Sequence, residues 1–399
     1  MAKHNKKKKK SIPKTTQWSN ISKGSKNGSK KERDSSIISI LLNDKALQLT
    51  IFFLLILILL VNFQKFFKIY SLGFHFLILI GAMILLIFSS DRCLDDIRGL
   101  ARKTGIPEVI IGLTIVSIGT SIPEIASTGM ASYKAMVTNN PELSDYALGN
   151  IYGSVLVQIT LVMGLVVLVR PIIISRGSVK RDGLSMIGAV VLLSIFVLWD
   201  MKLSRVEALI LIVLYGLFIC YLYWNREKIS REEKAIDEEE EEVEPGLPVG
   251  VHAIMMGLGL GLIVYSSDLL VLSAVEVAKG LGKPVGEIGL TISAVGTSLP
   301  ELAIALVAVK KARGLAIGTL IGSNVTDPML SIGIAALINP VVVSSKWEWG
   351  FVYLIVPFTI LSCVLGVLFM RTNWKIVRWE GATLVGIYII FISLILYYI

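Results

Sequence analysis

One stretch of this chain occurs twice. Residues 112–124 read GLTIVSIGTSIPE and residues 289–301 read GLTISAVGTSLPE, identical at nine of thirteen positions at a constant offset of 177. The register extends upstream without a gap, pairing Ser90 and Asp91 with Ser267 and Asp268, Gly105 with Gly282 and Pro107 with Pro284. The chain is an internal duplication. Each copy carries one glutamate, Glu124 or Glu301, inside an apolar segment, so any fold must place two buried carboxylates at equivalent positions.

The copies lie in a chain that is 54% hydrophobic and 17% charged, with a mean hydropathy of +0.72. Apolar segments fall at 46–63, 71–90, 107–136, 146–169, 183–199, 204–224, 248–273, 285–310, 314–338, 348–370 and 380–398, eleven in all and near bilayer length. This predicts an all-α polytopic membrane protein. The first segment is not a cleavable signal, because its leading tail is too long and no small-residue cleavage site follows it. Cys93, Cys220 and Cys363 are far apart, as are His4, His75 and His252, which argues against a disulfide framework and against zinc chemistry.

Residues 1–36 are rich in Lys, Ser, Asn and Gly, with twelve basic residues by Arg33, and their composition predicts a disordered tail. A basic tail beside a first membrane helix stays in the cytoplasm and is suited to contact anionic lipid. It lacks the interleaved aromatics of a nucleic-acid site. With the tail inside, the loops on its side carry 18 basic residues against 8 on the other, which places the N-terminus in the cytoplasm and the C-terminus outside, across a plasma membrane.

The segment at 46–63 is an extra N-terminal helix. The rest divides into halves of five helices, 71–224 and 248–398, joined by an acidic cytoplasmic linker at 225–247 that includes the run Glu238 to Glu242. Five is odd, so the copies enter the membrane from opposite sides. The expected fold is a ten-helix core of two inverted five-helix repeats, the design of secondary transporters with a midplane site between the halves.

Ser117, Thr120, Ser121 and Glu124 recur at i, i+3, i+4 and i+7, one face of a helix, and the second copy places Ala294, Thr297, Ser298 and Glu301 there. A charge near the bilayer centre costs about 2.5 to 3.5 kcal/mol even on lenient scales and needs a partner or a purpose. Gly119 and Gly296, with Pro123 and Pro300, weaken the helix and free carbonyls, which is tolerated at that depth only around a cavity or an ion. The following helix of each half adds a polar pair, Ser154 with Gln158 in GNIYGSVLVQ and Ser323 with Asp327 in GTLIGSNVTD; Asn324 adds an amide. An oxygen-only cluster without thiol or imidazole suits hard cations such as Ca²⁺ and Na⁺, with protons as a further candidate.

GTSxPE followed by GSxxx(N/Q/D), twice in inverted halves, resembles the alpha repeats of the cation/Ca²⁺ exchanger superfamily, nearest to its Na⁺/Ca²⁺ exchanger branch, over residues 71–398. The resemblance implies an alternating-access antiporter with no cofactor beyond the transported ions. It further implies direct Ca²⁺ coordination by Glu124 and Glu301, with Thr120, Ser121, Ser154, Thr297, Ser298, Ser323 and Asp327 lining the Ca²⁺ and Na⁺ sites. Three features depart from the pattern. Gln158 stands where this branch usually has Asn, Val155 stands opposite Asn324, and Ser117 stands opposite Ala294. The 23-residue linker leaves no room for a large Ca²⁺-sensing domain.

The nearest rival on the same scaffold is an H⁺/Ca²⁺ or other monovalent cation/Ca²⁺ antiporter, since carboxylates in apolar surroundings are also proton carriers. An intramembrane hydrolase would need a nucleophile and base, and no histidine lies near the repeats. A channel or a purely structural membrane protein is a third class, disfavoured by inverted repeats with broken helices. The chain is expected not to be an enzyme, and its sequence leaves its oligomeric state open.

Overall fold

The long segments are apolar over most of their circumference, so each must be buried largely in protein or lipid. Without water to satisfy the backbone, helices are the open-chain structures that can cross a bilayer. The structure, a computed structural model, describes residues 45–67, 72–102, 110, 112–234, 248–282, 285–311 and 313–398. The basic tail and the acidic run Glu238 to Glu242 lie outside the described residues.

Eleven helical segments follow: α1 (Lys45–Phe67), α2 (Leu72–Arg102), α3 (112–138), α4 (Glu142–Val169), α5 (Arg176–Asp200), α6 (Arg205–Trp224), α7 (Val249–Leu281), α8 (285–311), α9 (313–338), α10 (348–371) and α11 (Arg378–Tyr398). Among the described residues nine helices are long and apolar enough to cross a membrane. The other two expected crossings are α1, with an apolar stretch of Leu47–Phe63, and α3, which is broken at Ser121. A short helix, Arg226–Lys234, occupies the start of the expected linker.

The chain divides into two compact units, Met1–Gln48 and Leu49–Ile399. Only the opening turn of α1 is described in the first. In the second, α1 lies along α2: Phe53 stacks on Phe88 with centroids 5.4 Å apart, and Leu57 is buried above Gly81. Its other face, with Phe52 and Leu59, is exposed, as expected for a helix bordering lipid. α2 runs twelve residues past its expected end at 90. This extension is polar but not unsatisfied, because Asp96 accepts from Arg92 at 3.2 Å and lies 2.7 Å from Nδ1 of His252 on α7.

Two antiparallel ribbons report the inversion directly. β1 (Ile172–Ile173), between α4 and α5, pairs with β4 (Lys375–Ile376), between α10 and α11. β2 (Lys202–Leu203), between α5 and α6, pairs with β3 (Val341–Val342), between α9 and α10. Six helices separate β1 from β4 and four separate β2 from β3, even numbers that return the chain to the same side when every helix crosses. Each half thus lends its third connection to one ribbon and its fourth to the other. The flanking bonds repeat the symmetry: Ile174 N–H donates to Trp374 O and Val343 N–H to Met201 O, both at 2.9 Å. The accepting carbonyls belong to residues with left-handed backbones, Met201 at φ 55° and Trp374 at φ 56°.

Candidate cation site

The duplicated segments open with π-helical turns at Gly112–Val116 and Gly289–Ser293, the same positions in both copies. Single π turns inside helices are frequent at functional sites. Each is followed by one α turn, Ser117–Thr120 or Ala294–Thr297, which ends at Ser121 (φ −79°, ψ 0°) or Ser298 (φ −86°, ψ 3°). Helix resumes at Ile122 and Leu299, with Pro123 and Pro300 in the first turn, where a missing N–H is best tolerated. The prolines nevertheless cannot donate to the carbonyls of Gly119 and Gly296 four residues back. Glu124 and Glu301 therefore stand at helix N-termini inside the protein, where the macrodipole favours negative charge.

α4 and α9 carry their own π turns, Val157–Val162 and Asp327–Ser331, which hold Gln158 and Asp327 at matching positions. The four helices interlock across the halves. Gly153 of α4 rests on Leu290 and Ala294 of α8, and Gly322 of α9 rests on Leu113 and Ser117 of α3, residues equivalent to that same pair. Gly149 likewise meets the backbone of Gly286. Side chains on α4 and α9 would hold these backbones apart, so the small residues bring the polar groups of both repeats into one place.

All twelve sequence-predicted residues are at most 1% exposed. Ser154 Oγ donates to Glu124 Oε1 and Ser323 Oγ to Glu301 Oε1, each at 3.4 Å. The Thr297 hydroxyl lies beside Glu124 and the Thr120 hydroxyl beside Glu301, so each glutamate touches a threonine of the opposite repeat. Thr120 Oγ1 is also 3.2 Å from Ser323 Oγ. Asp327 accepts from Gln158 Nε2 and Ser331 Oγ, both at 3.1 Å, and Ser121 lies beside it without completing a hydrogen bond.

Eight buried side-chain oxygens in these four segments have no hydrogen-bond partner: Glu124 Oε2, Glu301 Oε2, Ser121 Oγ, Ser298 Oγ, Gln158 Oε1, Asn324 Oδ1, Asn150 Oδ1 and Thr319 Oγ1. Leaving one such group unsatisfied costs about 1 to 3 kcal/mol, so eight together mark a place where something else completes their bonding. The set is all oxygen and mostly acceptor, the chemistry of a hard cation. Among the described residues no three of Asp, Glu, His and Cys converge into a ready-made metal cluster. The carboxylates are interleaved with hydroxyls and amides, which spreads the negative charge over a larger volume.

Ser117 is drawn elsewhere. Its hydroxyl lies 2.7 Å from Thr326 Oγ1, which is also 3.0 Å from Tyr215 OH on α6. The equivalent pair in the other half is Ala294 with Val157, so the Ser/Ala difference matches a Thr/Val difference on the facing helix. Asn324 spends its Nδ2 on Leu320 O at 2.7 Å and keeps its carbonyl oxygen free. Asn150 and Thr319, which occupy equivalent positions one helical turn before Ser154 and Ser323, escaped the sequence analysis. Their place at i−4 from the serines in the aligned GNIYGS and GTLIGS runs was the available signal. Asn150 also supplies an amide to the half that has Val155 in place of asparagine, with its Nδ2 on Ser127 Oγ at 3.1 Å.

The family model described as sodium/calcium exchanger protein matches residues 74–224 and 251–397. The chain is 30% identical over 362 residues to the sodium/calcium exchanger MaX1 of Methanosarcina acetivorans, covering 81% of this chain and 99% of that one. It is 35% identical over 272 residues to the inner membrane protein YrbG of Escherichia coli, covering 66% and 79%. The solved structure of the sodium-calcium exchanger NCX_Mj, soaked with Na⁺ and Sr²⁺, superposes with a TM-score of 0.56 at 26% identity, covering 82% of this chain and 99% of that one. Built from two interlocked inverted halves, this integral multi-pass membrane protein is a transporter and not an enzyme, and it belongs to the sodium/calcium exchanger protein family.

Proposed function

We propose that this protein exchanges Ca²⁺ for Na⁺ by alternating access, with Glu124, Glu301 and Asp327 as its charged ligands. Thr120, Ser121, Ser154, Gln158, Thr297, Ser298, Ser323 and Asn324 complete the oxygen set, joined by Asn150 and Thr319. The observation that carries the proposal is the set of eight unpartnered buried oxygens on the four helices of the two repeats, two of them on glutamates that each touch hydroxyls of both halves. Three carboxylates balance one divalent ion or a few monovalent ones, but not both sets together. Competition for one set of ligands is then enough to couple the two fluxes. Within the plasma membrane proposed for it, the excess of basic residues on the tail side supports a cytoplasmic N-terminus and an outside C-terminus.

Ca²⁺ uptake into proteoliposomes holding the pure protein, driven in separate runs by an outward Na⁺ gradient and an outward proton gradient, tests the coupling. Uptake is expected with Na⁺. Uptake with protons alone would reassign the coupling ion on the same scaffold, and none in either run would sink the proposal.

Gln158 gives a finer test. Shortening it to Asn withdraws the amide from Asp327 Oδ2, a hydrogen bond to a charged group worth about 1.5 to 3 kcal/mol. Q158N is therefore expected to shift the Na⁺ concentration for half-maximal exchange by roughly tenfold or more while moving Ca²⁺ affinity less. Equal shifts for both ions in flux titrations would contradict this assignment.

A further inference from the structure

Beside the β1–β4 ribbon, α5 and α10 part and leave a cavity of about 500 Å³. Arg176, Lys180 and Arg371 line its rim, all three exposed, while Leu184 and Val367 form its apolar wall. Trp374 lies at the edge, its ring 5.1 Å below the Arg176 guanidinium. Among the described residues no carboxylate pairs with any of the three cations. Their neighbour Arg181 is different, since Asp182 and Glu232 neutralise it.

The arrangement has a direction. Arg176 begins α5 and Arg371 ends α10, so the charges sit at the water end of two membrane-length helices. Leu184 lies two turns further along α5 and is 61% exposed, on the part of the helix that faces lipid. A tryptophan at the junction suits the interface, where an amphipathic ring is best accommodated. The cavity is thus cationic where a headgroup lies and apolar where an acyl chain lies, and unpaired cations at a membrane surface attract anionic lipid.

We propose that this cavity binds an anionic phospholipid, its phosphate held by Arg176, Lys180 and Arg371 and one acyl chain laid along Leu184 and Val367. The apolar wall selects a lipid over a free phosphate ion, which the charged rim alone would satisfy. The site is separate from the candidate cation ligands and does not depend on which ions they carry.

Native mass spectrometry of the full chain released from nanodiscs of mixed zwitterionic and anionic phospholipid tests the proposal. The wild type is expected to retain an anionic lipid, and R176Q/K180Q/R371Q to retain at least about fivefold less, the share of one cation at a membrane surface. K202Q/K346Q, at the β2–β3 end, is the charge control and should match the wild type. L184W fills the apolar wall and leaves the cations in place, so it should lose the lipid as well. Equal retention by wild type and triple variant would overturn the proposal. So would displacement of the lipid by added inorganic phosphate together with unchanged retention by L184W, because that combination describes a phosphate site.

Discussion

Glu124→Gln and, separately, Glu301→Gln are expected to abolish Ca²⁺ transport while the protein still folds and inserts. Each glutamate keeps one oxygen on a serine of the neighbouring helix and leaves Oε2 without a partner. The amide preserves the shape and an acceptor oxygen but removes the charge that, in the proposed site, would answer a divalent ion. Removing one partner from a buried charge pair costs about 3 to 5 kcal/mol, or roughly two to four orders of magnitude in affinity. The fold should tolerate the change, because gathering carboxylates in an apolar interior is itself unfavourable and the variant has one fewer. Flux assays and ⁴⁵Ca²⁺ binding on protein matched for expression and elution profile would check both halves of the statement. Normal transport by either variant would remove that glutamate from the site.

Gly153→Ala is the second large effect. A Cβ at this position would run into the carbonyl of Leu290 and the Cβ of Ala294 at 2.6 Å. Both belong to the broken helix of the other half, so the clash cannot be relieved by swinging a flexible side chain. Overpacking of this kind costs about 1 to 3 kcal/mol, and the backbone contact puts G153A at the upper end. Because α4 also carries Ser154 and Gln158, parting it from α8 should cost transport as well as thermal stability. Gly216→Ala on α6 is the control, since nothing lies within 4 Å of its added Cβ, and there alanine should be neutral or stabilising by up to about 1 kcal/mol. Equal melting temperatures and fluxes for the two variants would show that the close crossing is not required.

The asymmetries between the halves have structural counterparts. The hydroxyl of Ser117 faces Thr326, and the residues equivalent to that pair in the other half are Ala294 and Val157, so both hydroxyls are replaced by apolar groups there. Val155 leaves the first half without the amide that Asn324 gives the second, and Asn150 with Gln158 puts two amides on the same helix instead. Each half thus contributes four of the eight unpartnered oxygens, three from equivalent positions and one, on Gln158 or Asn324, from a position of its own.

Local chemistry, legible in the order of the residues, dictated several features. Apolar length set the helical segments, because a backbone in lipid must satisfy itself. The Gly and Pro of GTSxPE set the breaks at Ser121 and Ser298, because proline removes a donor wherever it sits. The duplication, through an odd number of crossings, set the inversion. Long-range packing settled which strands form the ribbons, that α4 crosses α8 and α9 crosses α3, that Asn150 and Thr319 join the unpartnered oxygens, and that three cations on α5 and α10 share one cavity. Those pairings join residues about 140 to 210 positions apart. A periodic pattern records which face of a helix is apolar, but not which distant backbone comes close enough to lean on a glycine.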